Sequence, residues 1–218
     1  SFGKGRIHFT DQGKGKVIVL VHGYLESLKV WDSFSTKLSE TFRVISVDLP
    51  GHGESDIFSE VHTMEFMAGV LSELLGYLKI ERVFLAGHSL GGYVTLAFTE
   101  FFPVKLSGYC LFHSQPFADT PEALDKRERE IKFVKAGKKD LMYPDNVSKM
   151  FAASNLEMFK EALFRSKQIA SELPAEGIVS VLRGMISRPS RLSVMEAGKV
   201  PCLWVLGSMD NYINCEKI

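Results

Sequence analysis

The sequence has no excess of charge: 26 Lys and Arg stand against 26 Asp and Glu, so the formal charge is zero. A neutral chain offers no electrostatic footprint for a polyanion, which argues against nucleic acid or an anionic membrane surface as a partner. Nor is there a long apolar run. The longest uninterrupted stretch, Val17 to Val21, falls far short of the roughly 20 residues needed to span a bilayer. The first ten residues, SFGKGRIHFT, contain no apolar core of a secretion signal, and a cytoplasmic location is expected. Cysteine is scarce: Cys110, Cys202 and Cys215 are odd in number and show neither CxxC nor Cys/His zinc spacing. Cys110 and Cys202 lie inside apolar runs and are expected to be buried, reduced thiols. Neither a metal nor an organic cofactor is implied. What remains is ordinary: 45% apolar and 11% aromatic residues suffice for a sizeable core and exclude disorder.

Five short runs rich in β-branched and aromatic residues read as strands: Lys16–Val21, Arg43–Asp48, Arg82–Ala86, Gly108–Phe112 and Pro201–Leu206. Their apolarity is continuous rather than alternating, as suits strands buried on both faces of a parallel sheet. Arg6–Thr10 alternates and reads as an edge strand. Between the runs lie helical patterns. Trp31, Phe34, Leu38 and Phe42 form one apolar stripe. Thr63 is placed to cap a second helix that turns Met64, Met67, Leu71, Leu74, Leu75 and Leu78 inward. Strand–helix alternation predicts an α/β fold with a doubly wound, mostly parallel sheet. Residues 117–199 break the rhythm with mostly helical patterning, far more than one crossover needs. They read as a helical cap inserted between a first core part, 1–116, and its continuation, 200–218. Within it, the charged run Asp125–Lys139 reads as a solvated helix face. Phe151, Met158, Phe159, Leu163 and Phe164 read as residues packing the cap onto the core.

The sharpest motif is Gly87-His88-Ser89-Leu90-Gly91. It follows a strand and opens a helix, the setting in which a serine is held on a strained turn with its Oγ exposed. The Leu90 N–H then sits at a helix N-terminus, where developing negative charge is favoured. His22-Gly23-Tyr24 follows the first central strand, and the Tyr24 N–H is the candidate second donor of an oxyanion hole. Asp48-Leu-Pro-Gly-His-Gly-Glu-Ser55 follows the next strand.

VHGY, DLPGHGES and GHSLGG, in this order and spacing, resemble the α/β-hydrolase superfamily, in particular its small esterase-like members. The resemblance spans the chain through the cap to VLGSMD. It implies a serine hydrolase of small apolar carboxylic esters or thioesters, with Ser89 as nucleophile and Tyr24 and Leu90 as backbone oxyanion donors. The family's acid follows the next strand, which places it at Asp210; Asp119 is a second candidate. Dehalogenases and epoxide hydrolases of this fold carry Asp where Ser89 stands. Carbon–carbon hydrolysis, amidase and haloperoxidase-like chemistry use the same triad and stay open. So do a ligand-binding, receptor-like protein with little turnover and a lyase on the same scaffold.

The family order is nucleophile, acid, base, yet no histidine follows Asp210. The expectation is that the base lies beyond Ile218, on a segment of one helix, one strand and a loop that Asn214–Ile218 would begin. The chain as it stands is then expected to be inactive or weak. His113, at the carboxyl end of a strand, is the rival base.

Overall fold

The computed structural model describes residues 5–213 and 215. Six strands form one sheet in the order β1-β3-β2-β4-β5-β6. These are β1 (Phe9–Gln12), β2 (Val17–Val21), β3 (Arg43–Val47), β4 (Val83–His88), β5 (Leu106–Phe112) and β6 (Cys202–Val205). β1 runs antiparallel to β3, and every other pair is parallel. The central strands are sheathed on both faces, with Val19, Val21, Val44, Ile45 and Val47 all buried. This is the doubly wound, mostly parallel α/β sheet that the strand runs predict.

Two details of the sheet differ from expectation. The edge strand begins at Phe9 rather than Arg6, because the 48–56 loop already uses the Arg6 and His8 backbone. Asp56 N donates to Arg6 O (3.0 Å) and His8 N donates to Ser55 Oγ (2.9 Å). Cys110 is buried as expected, but Cys202 is exposed. Among the described residues β6 pairs only with β5, so one side of this apolar run is open, and Leu203 is 55% exposed. The expected helix start at Asn214–Ile218 lies, apart from Cys215, outside the described residues.

Helices α1 (Asp32–Leu38), α2 (Met64–Tyr77) and α3 (Leu90–Phe101) flank the sheet. Thr63 Oγ1 accepts the Phe66 N–H at 3.1 Å, and Met64, Met67, Leu71, Leu74 and Leu75 are buried as the pattern requires. The Trp31–Phe42 stripe is not one helix. A 3₁₀ turn (Leu28–Trp31) precedes α1, and Phe34 is left half-exposed, edge-on to Trp31.

Between β5 and β6 come α4 (Pro121–Lys135), α5 (Lys139–Ser148), α6 (Lys160–Glu172), α7 (Ala175–Ile186) and α8 (Leu192–Glu196). Met158, Phe159 and Phe164 do not pack onto the core; they are exposed, because α6 and its preceding turn bury Ile169 and Ala170 on the opposite side. Among the described residues no helix is long and apolar enough to cross a membrane. α7 packs tightly against Gly51 and His62 through Gly177 and Gly184, burying Ile178, Val181, Leu182 and Met185. Any Cβ at Gly184 would overlap the His62 carbonyl. Gly184→Ala is therefore expected to destabilise by about 3 kcal/mol, since backbone must move. Gly69→Ala in α2 meets open space and is expected to stabilise by up to about 1 kcal/mol through helix propensity. Urea unfolding of the two variants, read by circular dichroism, checks both signs.

Candidate active site

Ser89 joins β4 to α3 with φ +48° and ψ −112°, a conformation that a residue with a side chain adopts only under strain. The surroundings over-determine it. Ser89 N donates to Phe112 O (3.0 Å), Gly92 N donates to Ser89 O (2.9 Å), and Ser114 Oγ donates to the same carbonyl (2.7 Å). Glycine is required at 87 and 91 because helix and strand touch here. A Cβ at Gly87 would overlap Gly91 O, and one at Gly91 would lie 2.6 Å from His22 O.

Ser89 opens into a cleft of about 570 Å³ that Tyr24, His113 and Asp210 also line. Leu90 is buried at the first turn of α3, directly behind the serine. Three of the predicted residues, Ser89, Tyr24 and Asp210, thus line one cleft, while Leu90 is buried next to Ser89 in the chain. His22 is fully buried in a structural role: its Nε2 accepts the Leu49 N–H (3.0 Å) and burial lowers its pKa.

Asp210 follows β6. Its Oδ1 accepts the N–H groups of Tyr212 (2.7 Å) and Ile213 (2.9 Å), and its Oδ2 lies 3.0 Å from His113 Nδ1. Burial alone would raise this carboxyl, but the His113 contact and the two amides outweigh it and hold it below its ordinary value. His113 itself sits at φ +47°, with its N–H on Val205 O (2.8 Å). Asp119 is committed elsewhere. It bridges Arg127 Nε (2.5 Å) and the buried Arg188 Nη2 (2.7 Å), and among the described residues it pairs with no histidine.

The loop after β2 carries partners that sequence reasoning missed. Glu26 Oε2 accepts the Gly23 N–H (2.6 Å) and lies 2.8 Å from His88 Nδ1. Burial pushes the Glu26 carboxyl up, yet His88 and the amide more than reverse this, and His88 is raised in turn because the pull of Glu26 exceeds its burial penalty. The Tyr24 hydroxyl donates to Glu130 Oε1 (2.7 Å) and stands 3.3 Å from the Tyr143 hydroxyl. The charged run is accordingly not a purely solvated face. α4 turns Ala123, Lys126, Arg127 and Glu130 toward the cleft, a helical spacing readable in the sequence. Arg127 pairs with Asp119 only eight residues before it, whereas the partner of Glu130, Tyr24, is 106 residues away and could not be read from spacing. Glu130 can be buried and Arg127 largely covered there because each finds a partner.

The sequence profile described as the alpha/beta hydrolase fold matches residues 16–154. An esterase from Thermogutta terrifontis superposes with a TM-score of 0.93 at 29% identity, covering 100% of this chain and 81% of that one. The dihydrolipoyllysine-residue acetyltransferase component of an acetoin cleaving system from Pseudomonas putida is 30% identical over 203 residues, 91% of this chain and 53% of that protein. An uncharacterised Mycobacterium tuberculosis protein is 40% identical over 95 residues, 44% of this chain and 28% of its own length. The chain thus spans about half or less of these two sequence relatives. With the profile covering well over half of its residues, the chain belongs to the α/β-hydrolase fold family.

Proposed function

We propose that the protein is a serine hydrolase of small carboxylic esters or thioesters, acting through an acyl-enzyme. The observation that carries this reading is Ser89 on its strained strand–helix turn, opening into the cleft it shares with Tyr24 and Asp210. The likeness to the Thermogutta esterase supports it. Ser89 Oγ loses its proton to a histidine and attacks the carbonyl carbon, while the N–H groups of Tyr24 and Leu90 hold the resulting oxyanion. The protonated histidine returns the proton to the departing alcohol or thiol. Water then attacks the acyl-serine by the same steps and releases the acid. Asp210 orients the imidazole and stabilises its charged form. Residues 117–199 act as a cap over a core built from 1–116 and 200–218. Leu25, Tyr93, Met150, Phe151 and Ile213 give the cleft the apolar lining that a small acyl chain needs.

The order of the family places the base after Asp210, and that is the first reading. A second has His113 as base, favoured by its 3.0 Å contact with Asp210. Both assign Asp210 the same work. Stopped-flow hydrolysis of p-nitrophenyl acetate, butyrate and octanoate by the full natural chain tests the proposal. A p-nitrophenol burst equal to the enzyme concentration, followed by slower steady turnover, is expected. Neither burst nor turnover with any ester or thioester would overturn it.

A further inference from the structure

The oxyanion loop is held from two sides by acids that no step of the mechanism uses. Gly23, Tyr24 and Leu25 form its turn, and Leu25 sits at φ +62° with its side chain buried. A leucine in the left-handed region is strained, and such strain persists only where the surroundings leave the loop no alternative. Nothing within these three residues supplies that constraint. It comes from outside.

On the core side, Glu26 Oε2 takes the Gly23 N–H at 2.6 Å and meets His88 Nδ1 at 2.8 Å. His88 is the last residue of β4 and the immediate neighbour of Ser89. One carboxylate oxygen therefore ties the residue before Tyr24 to the residue before the nucleophile. Gly23 has no side chain because a Cβ would lie 2.8 Å from both Glu26 Oε2 and His88 Nδ1. On the other side, Glu130 Oε1 accepts the Tyr24 hydroxyl at 2.7 Å, with the Tyr143 hydroxyl 3.3 Å beyond. Glu130 and Tyr143 belong to α4 and α5 and are both buried. Tyr24 is thus clamped through its ring to the helical segment and through its preceding peptide to the nucleophile turn.

We infer that Glu26 and Glu130 are positioning residues that aim the Tyr24 N–H at the developing oxyanion, so that the helical segment 117–199 takes part in building the hole. The inference rests on the serine-hydrolase reading. Neither acid exchanges a proton with substrate. Each fixes a group that must point at the carbonyl oxygen in its tetrahedral state, where a displacement of about 1 Å is worth on the order of 100-fold in rate.

The test separates aim from fold. Tyr24→Phe removes one hydroxyl and keeps the N–H; Glu130→Ala removes its acceptor; Glu26→Ala frees the core side. Each is expected to lower kcat on p-nitrophenyl butyrate by about 10- to 100-fold with KM within about threefold. Binding of a trifluoromethyl ketone, whose hemiketal oxyanion, formed when Ser89 Oγ adds to its carbonyl carbon, occupies the hole, is expected to weaken by the same factor as kcat/KM. Glu130→Gln, which keeps an acceptor oxygen, is expected to restore most of the rate. Tyr24→Phe combined with Glu130→Ala is expected to be no worse than either alone, because both delete one contact. Glu26→Ala strips the partner from a buried amide, so Tyr24→Phe keeps the test clean should that variant unfold. Losses confined to KM, ketone affinity unchanged while kcat falls, or no loss at all with Tyr24→Phe would overturn the inference. If turnover in the parent chain does not depend on Ser89, the underlying reading fails instead.

Discussion

Ser89→Ala is expected to lower kcat for p-nitrophenyl ester hydrolysis by about 10⁵- to 10⁶-fold, with KM within about threefold. The asymmetry follows from what the hydroxyl does. In the proposed mechanism it makes no contact that substrate binding needs, but it supplies the bond that forms in the first transition state. A residual rate above that of water, about 10³-fold, is expected from the Tyr24 and Leu90 amides alone. Stability gives an independent reading of the same turn. Ser89 holds φ +48°, a value that alanine tolerates no better and glycine tolerates freely. Ser89→Gly should therefore be as inactive as the alanine variant yet more stable than the parent by about 1 kcal/mol. Thermal denaturation of the three proteins decides whether strain is stored at the nucleophile. A glycine variant no more stable than the alanine variant would deny it.

Asp210→Asn carries the second large effect, a loss of about 10⁴-fold in kcat, because an amide at this position favours the wrong imidazole tautomer and cannot stabilise its charged form. His113→Gln, measured alongside, identifies the base. If His113 takes the Ser89 proton, its loss equals that of Ser89→Ala; if the base follows Asp210, His113→Gln loses less than about tenfold. The pH dependence of stability has a defined sign. Asp210 is held below its ordinary carboxylate value by His113 and two amides, against the opposing effect of burial. A carboxyl depressed in the folded state adds stability that is fully present above its unfolded pKa, about 3.9, and is lost as pH falls through the folded value. The stability gap between parent and Asp210→Asn should thus be widest near neutrality and close in acid. Urea titrations between pH 3 and 7 check this, and a gap that widens in acid would contradict it.

The sheet and the Ser89 turn were readable because their causes are local. Continuous runs such as VIVLV have no polar face to turn outward, and the Gly-x-Ser-x-Gly spacing encodes the contacts of Gly87 and Gly91 with neighbouring backbone. Thr63 could be placed as a cap for the same reason. What could not be read depends on partners far along the chain. Glu130 looks like one more solvated charge until Tyr24, 106 residues away, donates to it. Glu26 and His88 are separated by 62 residues, and no spacing rule joins them. Cys202 sits in an apolar run that implies burial, but burial depends on which strands pair, and β6 is at an edge of the described sheet. The aromatic residues around α6 misled for a related reason. Their number suggested a packed face, whereas the helix buries a narrow stripe through Ile169 and Ala170.

Covalent trapping tests the central claim most directly. The full natural chain is incubated with a fluorophosphonate, and its intact mass and peptide map are recorded. One phosphonyl adduct per chain, mapped to Ser89 and absent from Ser89→Ala, is the predicted result. No adduct, or an adduct elsewhere while Ser89→Ala still hydrolyses esters at the parent rate, would contradict the assignment of Ser89 as the nucleophile.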